Sequence, residues 1–181
     1  MYYYFAKFIF WLIRWKIVGS IPSDIKKCVI IVAPHTSNYD FVLGRIACWQ
    51  MKIKASYLIK QEAFKFPFGA ILKALGGIPV NRSKSSTMVG HVVKHINETE
   101  KINIVVTPEG TRKKVEKWKK GYYFFAMAAN IPIALAFIDY QKKEGGIGPI
   151  LYPTGDYDKD YQIIHDFYKD IKGRHPEKFT I

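Results

Sequence analysis

Two cysteines in 181 residues are too few for a disulfide framework, and Cys28 and Cys48 make no C-x-x-C pair. Both sit in apolar runs, so buried, reduced thiols are expected rather than a bridge or a metal site. The histidines offer no ligand set: His91 and His95 are spaced i, i+4 without an H-E-x-x-H pattern or a cysteine partner, and read as one face of a helix. No metal is expected. Acidic residues are also scarce, 15 against 28 lysines and arginines, and the resulting net charge of +13 calls for an anionic partner or surface. Zinc-finger, RNA-recognition and basic-zipper signatures are missing. The plentiful aromatics lie in apolar runs instead of alternating with basic residues as a stacking platform requires, so nucleic acid is not an expected partner. Nor is there a Ser/Gly/Pro linker, a repeat or a low-complexity segment to divide the chain. With 49% apolar residues it can bury one core of ordinary domain size.

A membrane-spanning run is lacking too. Tyr2, Tyr3, Tyr4, Phe5, Phe8, Ile9, Phe10, Trp11, Leu12, Ile13, Trp15, Ile17 and Val18 leave little polar surface, but Lys7 and Arg14 interrupt the stretch short of the ~20 residues a span needs. The absence of a small-residue cleavage pattern argues against a secretory signal. A helix over 2–18 would place its two charges only about 20° apart and lie in an interface, its basic stems snorkelling to headgroups; the alternative is a helix packed on its own domain. The division read from this is 1–20 as an amphipathic membrane-interface helix and 21–181 as one domain. Arg112, Lys113, Lys114, Lys117, Lys119 and Lys120 surround Trp118, which reads as a basic loop with one aromatic anchor or as a solubilising loop.

What is present is alternation. Strands are expected at 28–33, 54–59, 77–81, 103–107, 131–138 and 147–152. Helical stretches are expected at 39–51, 62–75, 86–99, 121–129 and 160–171. Strand following helix argues an α/β sandwich with a largely parallel sheet, and the turn-rich 141–146 segment allows the last two strands to pair antiparallel. Residues able to do chemistry fall near strand C-terminal ends, where open α/β sheets place ligands.

The most informative of these ends is Ala33-Pro34-His35-Thr36-Ser37-Asn38-Tyr39-Asp40. The continuous β-branched run before it suits a strand buried on both faces, and helical periodicity follows, with Ser37 or Asn38 as N-cap. His35 then lies in the turn and Asp40 in the first helical turn. A carboxylate there can hold one imidazole nitrogen and leave the other to take a proton, although a loop histidine beside a dipole-stabilised aspartate has the same spelling. At the next end, Thr107-Pro108-Glu109-Gly110-Thr111-Arg112, Pro-Glu-Gly signals a turn, Gly110 permits close approach of a ligand, and Arg112 offers a planar fork for phosphate oxygens. Gly76 to Arg82 brings a second arginine to a third strand-like stretch.

H-x-x-x-x-D at His35 and Asp40, K-x-E beginning at Lys60 and running to G-x-x-V-x-R at Arg82, E-G-T-R at 109–112, and Ile131-Pro132-Ile133 occur in that order. Together they resemble the glycerolipid acyltransferases, in particular the lysophosphatidic acid acyltransferase group, over roughly residues 28–138. The resemblance implies an α/β acyltransferase fold and transfer of an acyl group from acyl-CoA or acyl carrier protein to the free hydroxyl of a lysophospholipid, with lysophosphatidic acid the leading acceptor. It implies His35 as general base oriented by Asp40, no acyl-enzyme, and no cofactor beyond the thioester co-substrate. Lys60, Arg82, Glu109, Gly110, Thr111 and Arg112 would bind the acceptor's phosphate. A backbone N–H near the histidine turn would meet the oxyanion. The partners expected are an anionic membrane surface, a lysolipid and the acyl donor, and the location is peripheral or monotopic on the cytoplasmic face of the cell membrane. Two departures stand out: Pro34 occupies a position where the family usually has asparagine, and the last motif continues as Ala134-Leu135 without a second proline. The competing readings are acylation of another lysolipid, such as an amino-acid lysolipid, and a non-catalytic basic membrane-binding module.

Overall fold

β-branched runs and amphipathic segments assemble into a seven-stranded mixed sheet flanked by helices. The computed structural model describes residues 2–65, 67–81 and 85–181, for 68 and 85–87 the backbone only. In chain order the elements are α1 (Tyr2–Leu12), β1 (Lys16–Val18), β2 (Lys27–Ala33), α2 (Asn38–Gln50), β3 (Ala55–Lys60), α3 (Phe68–Ala74) and β4 (Gly77–Val80). They continue with α4 (Ser85–Glu98), β5 (Ile102–Val106), α5 (Gly121–Ala129), β6 (Ile133–Asp139), β7 (Glu144–Leu151) and α6 (Tyr157–Tyr168). Short 3₁₀ turns cover Gln61–Phe64 and Pro176–Lys178.

The strand order is β1-β7-β6-β2-β5-β3-β4. Strands β6, β2, β5, β3 and β4 run parallel, β7 pairs antiparallel with β6, and β1 pairs parallel with β7. The expected α/β sheet and its antiparallel last pair are therefore present. Period-two alternation divides β2 between two cores. Val29, Ile31 and Ala33 face a large cluster with Val92 and Ile96 of α4, Tyr122 and Phe125 of α5, and Ile164 and Tyr168 of α6. Cys28 and Ile30 face a smaller cluster with Ala134, Ala136 and Ile147, and α2 lies on this side. Burying a side chain such as Phe125, 1% exposed, stabilises by about 1.5–3 kcal/mol.

Two local expectations are corrected. The helix expected over 2–18 ends at Leu12, Arg14 takes a positive φ of 58°, and residues 16–18 join the sheet as an edge strand. Lys7 and Arg14 therefore do not share a helical face. Trp118 is not an exposed anchor. It is 7% exposed, packs against Tyr161, Tyr168 and Phe179, and donates its indole N–H to Thr180 O at 3.1 Å. Helix α1 packs on its own domain along one side. Ala6 and Phe10 are buried, Tyr2 stacks on Trp49 of α2, and Tyr4, Phe5, Phe8, Trp11 and Leu12 remain exposed. Among the described residues no helix is long and apolar enough to cross a membrane.

Candidate active site

Because β2 is central, its end is flanked by the ends of β5 and β6, and each neighbour delivers a group to the turn that follows it. A cis peptide joins Ala33 to Pro34, and His35 comes next. Ser37 caps α2: its hydroxyl accepts the Tyr39 N–H at 3.2 Å, and Asp40 at N3 completes a capping box. Asp40 is thereby fixed by the same hydrogen bonds that start the helix. Its Oδ2 accepts the N–H groups of Thr36 at 2.7 Å and Ser37 at 2.8 Å, and lies 3.4 Å from His35 Nδ1. Its Oδ1 accepts the Tyr140 hydroxyl at 2.7 Å. Burial alone would push the carboxyl up, but the bonds from His35, Tyr140, Ser37 and Thr36 outweigh it and hold the group below the usual aspartate range. Asp40 is thus an anion facing the imidazole, and the far ring nitrogen is left for proton transfer.

Glu109, after β5, grips the same turn from the other side. Both carboxylate oxygens accept the His35 backbone N–H, at 3.1 and 3.0 Å. The group is 4% exposed, and burial pushes its carboxyl up to about 7, only partly opposed by the His35 N–H and ring. In either protonation state the carboxyl can hold the histidine turn through that N–H. Gly110 takes a φ of 67°, which favours glycine; a Cβ there would meet only the mobile end of the Lys119 side chain, at 2.9 Å. Thr111 is exposed and its hydroxyl accepts the Lys113 N–H at 3.3 Å. Arg112 is exposed and donates from its guanidinium to the side-chain oxygen of Asn38, which brings it over the histidine turn. Lys60 is exposed at the end of β3 and does not line the cavity below. Arg82 lies outside the described residues.

His35, Asp40, Gly110 and Arg112 lie on the wall of a cavity of about 840 Å³. The rest of the wall is mostly apolar, with Ile30, Val32, Ala136 and Ile147 from the sheet, Ala47, Cys48 and Met51 from α2 and its end, and Phe10, Trp15 and Ile17 from the N-terminal segment. A mostly apolar wall with a few polar groups is the chemistry that suits a ligand with an apolar portion. Cys48 is no nucleophile there. Burial pushes its thiol up to about 11 and that of Cys28 to about 12, and both are free, buried cysteines. Among the described residues no three His, Cys, Asp or Glu side chains gather to hold a metal.

Two contributors had no sequence signal. Tyr140 follows β6 and meets Asp40 across 100 positions of sequence. Asn38, read as a possible cap, instead meets Arg112. The N–H groups of His35, Thr36 and Ser37 are already spent on the two carboxylates, which removes them as the oxyanion donor expected near this turn.

A family model described as Acyltransferase matches residues 14–138. The crystal structure of the 1-acyl-sn-glycerophosphate (LPA) acyltransferase PlsC from Thermotoga maritima has a similar fold. Its TM-score is 0.65 over 93% of this chain and 77% of that one, at 18% sequence identity. Among curated proteins no sequence matches the chain.

Proposed function

Because the chain belongs to the acyltransferase family, we propose that it moves a fatty acyl group from an acyl-CoA or acyl carrier protein thioester to the free hydroxyl of a lysophospholipid. Lysophosphatidic acid is the leading acceptor and phosphatidic acid the product. The observation that carries this reading is the His35–Asp40 pair set into the wall of an apolar cavity. His35 takes the acceptor's proton as its oxygen attacks the thioester carbonyl, and Asp40 stabilises the imidazolium. When the tetrahedral intermediate collapses, the C–S bond breaks and the imidazolium gives its proton to the departing thiolate, which leaves as the free thiol. The substrate is the nucleophile, so no acyl-enzyme forms.

Arg112, Gly110 and Thr111, with Arg82 and Lys60, hold the acceptor's phosphate. Glu109 serves that site indirectly by fixing His35. The exposed aromatics of α1 seat the enzyme on an anionic bilayer, on the cytoplasmic face, where both lipid substrate and product reside. Steady-state assays over a lysolipid panel test the proposal. His35→Ala lowers kcat by about 10²–10⁴ with little change in acceptor KM; near-wild-type turnover of that variant, or a trapped acyl-enzyme, overturns the mechanism. An acceptor with a carboxylate headgroup used in preference to lysophosphatidic acid moves the assignment to an amino-acid lysolipid.

A further inference from the structure

Asp40 is held from two sides, and only one of them belongs to its own turn. The N–H groups of Thr36 and Ser37 and the imidazole of His35 all address Oδ2, whereas Oδ1 is met by the hydroxyl of Tyr140. Among the described residues no other group is hydrogen-bonded to Oδ1, and the carboxylate side chain is 2% exposed. Tyr140 lies beyond the segment matched by the family model. We propose that Tyr140 is a positioning residue for the His35–Asp40 pair, and that Trp15, at the start of the sheet-bound N-terminal segment, holds its ring in place.

The fold supplies the means. β6 is the neighbour of β2, and its C-terminal end brings Tyr140 beside the turn that β2 ends in. The Tyr140 backbone N–H donates to Lys172 O at 2.9 Å, tying it to the chain after α6. Its ring meets Trp15 edge-on, with centroids 5.1 Å apart and planes at 87°. Trp15 is itself anchored: its N–H donates to Phe10 O at 2.8 Å, and the next N–H, of Lys16, donates to Lys143 O at 2.9 Å.

An O–H aimed at Oδ1 does two things. It stops rotation of the carboxylate, so Oδ2 stays toward Nδ1, and it draws negative charge away from Oδ2, which limits how strongly Asp40 favours imidazolium. Removing it leaves a charge that favours the protonated ring more strongly but is held less well. Other charged groups surround the pair. Glu109 is on the His35 N–H, Arg112 on Asn38, Arg174 is stacked 3.9 Å over Tyr39 and acts on Tyr140, Lys119 lies beside Gly110, and His175 donates its N–H to Thr36. Glu109 titrates near neutrality, so the readout must belong to His35 alone.

Ring-¹⁵N spectra of full-length protein, with His35 assigned by substitution, provide it. Tyr140→Phe keeps the ring against Trp15 and removes only the donor. The expected result is a His35 titration midpoint moved to higher pH, an acid limb of kcat/KM that moves with it, and kcat lower by about tenfold with acceptor KM unchanged. Trp15→Leu moves the midpoint in the same direction and less far. Installing 3-fluorotyrosine at 140, a stronger donor, moves it to lower pH. A Tyr140→Phe protein with the wild-type His35 titration and kcat overturns the proposal, as does a loss of activity explained by a lowered Tm alone. The kinetic half rests on the acyl-transfer reading; the spectra do not, so a wild-type protein inactive on every lysolipid would refute that reading while the His35 midpoint still decides this one.

Discussion

Glu109 and Asp40 hold the same histidine turn from opposite sides, their carboxyls shifted in opposite directions, and the pH dependence of stability should show both. Asp40 is held below its unfolded value, so its contribution is present above that value and lost as pH falls through the folded one. Glu109 is raised from 4.5 to about 7. Between those limits the unfolded chain ionises first, and folding loses on the order of 3 kcal/mol as pH climbs through that window. Glu109→Gln keeps an oxygen for the His35 N–H and abolishes the titration. Thermal melts from pH 5 to 8 should therefore show a flatter profile in the variant, with the gain at pH 8; an unchanged slope would mean Glu109 is ionised throughout. Arg112→Ala should raise acceptor KM strongly and Lys60→Ala weakly, since a bidentate fork loses more than a point charge. Inhibition kinetics with inorganic phosphate would check this, and an effect on the acyl donor alone would contradict it. The histidine and aspartate were legible because they share one turn, five positions apart and in contact. The use of Glu109 as a clamp on His35 was not, because that bond joins positions 74 apart, and local pattern carries no information about such pairs.

Helix α2 carries Asp40 at its start and lines the cavity with its body, so its sequence serves two demands. Gly44 sits mid-helix, where glycine costs about 1 kcal/mol relative to alanine, and a Cβ there meets nothing within 4 Å. Packing does not require the glycine. It does line the cavity, which gives a reason for keeping it small. Gly44→Ala should raise Tm by a few degrees and, by narrowing the space, reduce kcat/KM for long acyl donors more than for short ones. Equal activity on all chain lengths would show that the cavity near Gly44 holds no acyl chain. Elements of this kind were readable: α5 was expected at 121–129 and is found at Gly121–Ala129, and the continuous apolar run of β2 correctly signalled burial on both faces. β1 was not, because three residues make no period and its partner β7 lies over 120 positions away. Trp118 was misread for a related reason: the lysines around it are a local feature, while the aromatic side chains that bury it come mainly from α6 and the C-terminal tail.

At the scale of the whole molecule, a net charge of +13 accompanies a ridge of exposed aromatics on α1, and the proposed membrane seat predicts that the two act together. The ridge does not stand free of the domain. Ala6 and Phe10 are buried, Tyr2 and Phe5 pack on Trp49, and Trp15 reaches Tyr140, so deleting the segment would damage the fold and the site as well as any membrane contact. Substitution at the exposed positions separates these roles. Phe8 is 55% and Trp11 71% exposed, and their ring centroids lie 5.9 Å apart. Phe8→Ser combined with Trp11→Ser should leave Tm nearly unchanged. Binding to vesicles of anionic lipid should fall by roughly tenfold to a hundredfold, the loss of two partly buried aromatics at the interface. Raising salt from 0.1 M to 1 M shortens the Debye length from about 10 to 3 Å, and should weaken what remains by screening Lys7, Arg14, Lys16 and the lysines at 113–120. Flotation at both salt concentrations, beside melts of the same samples, is the measurement. If the double variant floats like wild type, α1 is not the seat, and the exposed Phe41 and Val42 of α2 would have to carry the contact instead.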